Sequence, residues 1–214
     1  MSDFTLKRGL SNVFAAEVTK DENAEGGYVF GTPFHLIPAG EMSRTASSEK
    51  TNVFFDNAVF YQSGSESATE ISITGAALRP ADVARLTGKH VDSETGAVLD
   101  TGEYTEKYFA VGGETENVDG TKELFWFLKG TFAIPEQTDK TKDETTDTNG
   151  MTLNFSAIQT THQFDVGGNK KPIKRVVIDT KTTKLKDAQE WTKQVVTPEN
   201  LSTIVEKITA PATT

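Results

Sequence analysis

The chain has 214 residues, 36% of them hydrophobic and 25% charged, which suffices for one substantial core with appendages and makes a single domain the default. It contains no cysteine, so disulfides, thiolate nucleophiles, iron–sulfur clusters and Cys-based zinc sites are excluded. The formal net charge of -9 argues against adhesive binding to DNA or anionic membrane, because counterion release needs clustered Lys and Arg facing the phosphates.

The N-terminal stretch Met1–Arg8 lacks the apolar run of a secretion signal, and no segment approaches membrane-spanning length, so the expectation is a protein made and kept in a cytoplasm. Leu10–Val18 and Tyr28–Ile37 read as two strands joined by the polar, glycine-ended connection Asp21–Gly27. Pro33 places part of the second at an edge or bulge. Met42–Ser63 is a second β-like region, Ser/Thr-rich and then carrying Val53-Phe54-Phe55 and Val59-Phe60-Tyr61 on either side of Asp56-Asn57. Its aromatics stand in adjacent pairs, so one of each pair must face away from its own sheet if the run is extended. Thr69–Thr74 alternates strictly, with Thr69, Ile71 and Ile73 on one side, and predicts a half-buried strand.

Pro80–Gly88 predicts a short helix: proline suits the first helical position, Asp82 faces the positive end of the dipole, and Gly88 can take the left-handed cap. Leu78 and Val83 have the spacing of a hydrophobic staple. After a glycine-rich acidic loop at 92–103 comes the most informative block, Tyr108–Gly112, Phe125–Glu136 and Leu153–Ser156. It reads as strand, Asp-Gly turn, strand, long loop over 136–150, strand. The middle strand, Phe125-Trp126-Phe127-Leu128, is apolar on both sides and needs covering twice, at the centre of a sandwich or by a partner. Met151, Leu153, Phe155 and Ala157 alternate with Thr152, Asn154 and Ser156 in another half-solvated strand, and Gln159–Val166 and Lys174–Asp179 follow.

Between Lys170 and Lys186 seven basic residues face Asp179 alone, which is either a solvated strand and linker or a patch complementary to the acidic remainder of a neighbouring copy. Thr180–Lys184 resembles a linker, so residues 181–214 read as a C-terminal extension or arm after a β domain at 1–180. Leu201, Ile204, Val205 and Ile208 share one stripe of a helix expected at 198–208. Eight to ten strands against one or two short helices predict a mainly β sandwich or barrel, with no internal repeat.

A search for chemistry selects nothing. His35, His90 and His162 stand alone, without a second ligand at helical metal-binding spacing. No Gly-x-Ser-x-Gly elbow occurs, and Gly26-Gly27, Gly112-Gly113 and Gly167-Gly168 lack the context and lysine of a phosphate loop. Asp143–Gly150 lacks the alternating carboxylates and closing glutamate of a calcium loop. The expectation is therefore a non-enzymatic protein with no catalytic residue, cofactor or metal.

The central block, together with Gly31-Thr32-Pro33, the helix Pro80–Gly88 and the order of elements joining them, resembles the major tail protein, or tail tube protein, of long non-contractile-tailed bacteriophages (siphophages) of Gram-positive hosts. The likeness spans about Gly9–Asp179, and its specificity lies in the order and spacing of the motifs. It implies a β-sandwich/barrel tail-tube fold with one flanking helix at about 80–87, long loops and a C-terminal arm. It also implies a structural virion protein whose hexameric rings stack into a tube through which DNA is ejected, assembled in the host cytoplasm. The implied partners are the protein itself, the tape measure protein in the lumen, the tail terminator and distal tail proteins, and DNA only in transit. By the same resemblance Phe54, Phe55, Phe60 and Tyr61 are candidate anchors of a hairpin that staples neighbouring rings; alternatively they fill the subunit's own core. Two competing classes stay open: a monomeric β-sandwich carbohydrate-binding or adhesion module, which would expose aromatics for stacking on sugars, and a hydrolase on a β scaffold, which would need a convergent cleft of acid and base groups.

Overall fold

The structure, a computed structural model, describes residues 4–55, 58–135, 150–187 and 189–208, with the side chains from 49 to 66 outside the described set. In chain order it runs β1 (Lys7–Asp21), β2 (Tyr28–Phe30), β3 (Phe34–His35), β4 (Ala39–Phe55), β5 (Ala58–Ala76), α1 (Pro80–Thr87), β6 (His90–Val91), β7 (Val98–Leu99), β8 (Tyr108–Asn117) and β9 (Lys122–Phe132). It continues with β10 (Gly150–Ile158), β11 (Gln163–Val166), β12 (Asn169–Pro172), β13 (Arg175–Asp179), β14 (Thr183–Leu185), α2 (Glu190–Lys193), α3 (Leu201–Ile204) and β15 (Val205–Lys207). The fold is mainly β, as the patterning predicts. The long loop expected at 136–150 falls, apart from Gly150, outside the described residues.

One antiparallel sheet dominates, in the order β2-β1-β8-β9-β10-β5-β4, with β3 also paired to β1 and β13 to β9. Pro33 lies between β2 and β3, so the second predicted strand is split where proline cannot donate to the ladder. Asn12 takes a left-handed backbone (φ 51°) where the β1–β8 register slips between Ser11 and Phe14, a bulge that bends β1. The sheet curls so that β4 faces β9: the Arg44 guanidinium lies 3.8 Å from the centre of the Phe125 ring. Inside the curl, Val13, Ile71, Ile73, Val111, Phe125, Phe127, Leu153 and Phe155 form one core, closed by Leu86 of α1. The alternation of β5 and β10 is met in full, Ile71 and Ile73 inward against Glu70 and Thr74 exposed, Leu153 and Phe155 inward against Asn154 exposed.

The helix forms where its punctuation places it. Gly88 holds the left-handed cap at φ 72°, and its N–H donates to the Ala84 carbonyl. Arg79 at the N-cap supplies no side-chain cap, so the helix depends on Pro80 and on packing of Leu78, Val83 and Leu86 against the core.

The two-sided apolar strand β9 is covered twice within the chain. Phe125 and Phe127 enter the first core, whereas Leu124, Trp126 and Leu128 enter a second one with Ala16, Ala110, Phe164, Val176, Ile178, Trp191, Val195, Val196 and Ile204. Trp126 lies flat over β8: a Cβ on Gly112 would stand 2.5 Å from the indole, so only glycine admits that ring. Its Nε1–H donates to the Trp191 carbonyl at 3.0 Å, tying β9 to the C-terminal segment. Gly130 likewise makes room, since a Cβ there would meet the Phe155 ring and the Ser156 carbonyl at 2.4 Å.

Residues after 181 are packed rather than free-standing over the described stretch. β14 pairs with β15, and Trp191, Val195, Val196 and Ile204 are each at most 1% exposed. The helix expected over 198–208 is confined to Leu201–Ile204. Val205 turns extended because β14 offers it an edge, and β-branched side chains suit a ladder better than a helix turn. Asn200 bonds backward instead of capping forward, accepting from Thr197 N–H at 2.8 Å and donating to the Val195 carbonyl at 3.0 Å.

Candidate assembly surfaces

The predicted hairpin exists and is longer than predicted. β4 and β5 pair from Ala39↔Gly75 to Phe55↔Ala58, with the register slipping in three places. β10 flanks β5 only from Thr69 to Ala76. Beyond that point, where the register also slips between Ala46 and Ser48, the two strands continue as a two-stranded ribbon from Ser48 and Glu66 to the tip. At about 3.4 Å per residue the ribbon reaches roughly 25 Å past the sheet. Such a ribbon is at best marginally stable alone in water, and it presents backbone donors and acceptors along both edges.

All four predicted anchors sit at its far end. Tyr61 pairs with Val53, Phe54 with Val59 and Phe55 with Ala58, while Phe60 is the extra residue of the slip between Val53 and Phe54. A bulge increases the local twist of the ribbon. The side chains of Phe54, Phe55, Phe60 and Tyr61 lie outside the described residues.

A second surface lies where the sheet forks. β9 pairs with β13 over Glu123–Phe127 and with β10 over Lys129–Phe132, so its neighbour changes at Leu128. The fork opens a cavity of about 450 Å³ lined by Arg44, Thr69, Phe127, Gln159, Lys174 and Arg175 among others. Glu123 serves two cations there, accepting from Lys7 Nζ at 3.0 Å and Arg44 Nη1 at 3.4 Å. Lys174 Nζ donates to the Ser67 carbonyl at 2.6 Å, tying the fork to the base of the ribbon. Arg175 makes no salt bridge among the described residues and stacks 5.6 Å from the Phe127 ring. Burial draws the Arg44 guanidinium below its ordinary value; Glu123 opposes the shift and Arg175 adds to it.

A third is the apolar patch of Phe4, Leu6 and Val118, which are 89%, 74% and 60% exposed and line one shallow cleft. Exposed apolar side chains that cluster, rather than scatter, mark interaction surfaces. The fourth is acidic: β6 and β7 pair as a separate hairpin, and residues 90–106 hold Asp92, Glu94, Asp100, Glu103 and Glu106 without a single Lys or Arg. Asp100 is bound by Lys89 at 2.6 Å and Asp92 closes its own turn through the Thr95 N–H and hydroxyl. Glu94 and Glu103 are exposed, and their carboxylates have no partner among the described residues.

The histidines hold no metal arrangement: among the described residues no group of three His, Asp or Glu is placed to bind an ion. His162 is buried in a clasp that sequence reasoning missed. Asp21 Oδ2 accepts from Lys129 Nζ at 2.6 Å and from Thr161 N–H at 2.7 Å, while Oδ1 accepts from His162 N–H at 2.8 Å. His162 also contacts the Glu22 carbonyl and Glu199. The clasp fastens the start of the C-terminal layer to the end of β1. The signal was Lys129, a cation inside the apolar run Phe125–Phe132, which a buried carboxylate had to meet.

No known family model matches the chain, and no curated protein is similar to it. No helix among the described residues is long and apolar enough to cross a membrane.

Proposed function

We propose that the chain is a structural subunit of a phage tail tube, forming hexameric rings that stack into a hollow conduit for DNA. The observation that carries the reading is the β4–β5 ribbon, which leaves the sheet at Thr69 and thereafter, among the described residues, pairs only with itself. An isolated ribbon of that length finds its stability against another molecule. The sheet ends in β4 and β2, so two edges are available for strand addition, and a head-to-tail contact of this kind closes into a ring or extends as a polymer. Phe54, Phe55, Phe60 and Tyr61 then anchor the ribbon tip on the next ring. The net charge of -9 suits a channel whose carboxylates repel phosphates, letting DNA pass without adhering. In this role the tape measure protein fills the lumen during assembly, and the tail terminator and distal tail proteins meet the two ends. The protein acts in the virion, after assembly in the host cytoplasm, and performs no catalysis.

Sedimentation velocity across a range of concentrations tests the part given to the ribbon. The wild type is expected to pass from small species to large polymers. Phe54→Asp or Phe55→Asp is expected to raise the concentration required by about tenfold or more, since a charge placed in a desolvated contact is strongly unfavourable. Polymerisation unaffected by both substitutions would remove those side chains from the ring contact. A protein that stays monomeric and binds an oligosaccharide instead would support the adhesion-module reading.

A further inference from the structure

The fork at Leu128 concentrates positive charge in an otherwise acidic chain. Lys7 and Arg44 pair with Glu123, Arg175 lies near enough to help hold its carboxyl below the ordinary value without a salt bridge among the described residues, and the exposed strand β12 carrying Lys170 and Lys171 leads straight into the cavity wall at Pro172. Lys170 and Lys171 form no ion pair among the described residues. Among the described residues Arg175, Lys170 and Lys171 have no ion-pair partner beside this cavity of about 450 Å³, which leaves positive charge that an incoming carboxylate would neutralise. Elsewhere on the same chain, the β6–β7 hairpin and the loop that follows it offer Glu94 and Glu103, exposed, with carboxylates that have no partner among the described residues.

We propose that the basic fork of one copy receives the acidic β6–β7 hairpin of a second copy, so that Glu94 and Glu103 face Lys170, Lys171 and Arg175 across the contact. This rests on the tube reading and specifies one of its interfaces. Because fork and hairpin are different surfaces of one chain, the contact is head-to-tail, and each copy carries both halves. Opposite charges set the register, whereas a mismatched orientation would bring the hairpin against other carboxylates of an acidic surface. The contact is separate from the ribbon tip and from the apolar patch around Phe4, which leaves it independently testable.

The test is a charge exchange in the full chain, read as the critical concentration for polymerisation by sedimentation, with images by electron microscopy. Reversing the fork (Lys170→Glu, Lys171→Glu, Arg175→Glu) and reversing the hairpin (Glu94→Lys, Glu103→Lys) are each expected to raise that concentration by about tenfold. Placing both sets in one chain is expected to return it to within about threefold of wild type, since the attraction is restored with opposite sign. Circular dichroism and thermal unfolding follow each variant; Lys170→Glu with Lys171→Glu alone, on exposed β12, replaces the full fork set if Arg175→Glu disturbs folding beside Glu123. Unchanged assembly in either reversed variant, or additive impairment in the combined chain, overturns the contact and leaves the tube reading standing. A wild type that never polymerises overturns both.

Discussion

Trp191→Ala is expected to lower the unfolding free energy of the monomer by about 3–5 kcal/mol, the cost of emptying a large aromatic site in a packed core. Trp191 is 1% exposed and sits with Val195, Val196 and Ile204 on the outer face of β9. Its carbonyl accepts the Trp126 Nε1–H at 3.0 Å, so the residue joins two layers through backbone and ring together. Trp191→Phe is the informative companion. The Trp191 Nε1–H is buried without a partner among the described residues, so losing it forfeits no hydrogen bond and the cost falls well below that of alanine. Chemical denaturation of both variants checks this. If Trp191→Ala unfolded at the wild-type midpoint, the C-terminal segment would not be the second layer of the fold.

Asp21→Ala is expected to cost a similar amount, about 3–5 kcal/mol, for an electrostatic reason. The substitution strands the Lys129 ammonium, whose side chain is 11% exposed, and orphans the Thr161 and His162 N–H groups. The Lys129 ammonium also lies 4.6 Å from the Tyr108 ring, which compensates only part of the loss. Removing both charges in Asp21→Leu with Lys129→Met is expected to be less damaging than the sum of the two single changes, because the penalty arises from one unpaired buried ion. The clasp also confers a pH dependence. Burial works to raise the Asp21 pKa, but the Lys129 hydrogen bond and the two backbone N–H groups outweigh it and hold the carboxyl below its ordinary value. A group whose pKa is depressed on folding contributes stability above the unfolded value and loses it as pH falls through the folded one. Wild type therefore loses this contribution below about pH 4, whereas Asp21→Asn has none to lose. Unfolding curves between pH 2 and 6 that ran parallel for the two proteins would contradict the clasp.

Much of the sheet was legible because its signal is local. Ile71 and Ile73 in β5, and Met151 through Ala157 in β10, alternate as a half-buried strand must, and the helix at Pro80–Thr87 announces itself through Pro80, Asp82 and Gly88. The doubled apolar character of Phe125–Leu128 was equally visible, but what covers its second face was not. Trp191, Val195 and Val196 lie more than sixty residues away, in a segment where α2 is a single turn ending at Lys193, so only tertiary packing brings them to β9. This bears on function too: the dry faces of β9 are satisfied within the chain, and the case for assembly passes to the ribbon. The ribbon itself was half legible. Its aromatic pairs at 54–55 and 60–61 stood out, whereas the Ser/Thr-rich stretch before them has no apolar period and is extended because it pairs with β5. Phe60 as a bulge follows from strand register, which residue patterns do not specify.

Electron microscopy of the purified wild-type protein at rising concentration tests the proposed tube. Rings of six subunits and stacked hollow tubes are expected. Persistently monodisperse monomers at every concentration would contradict it.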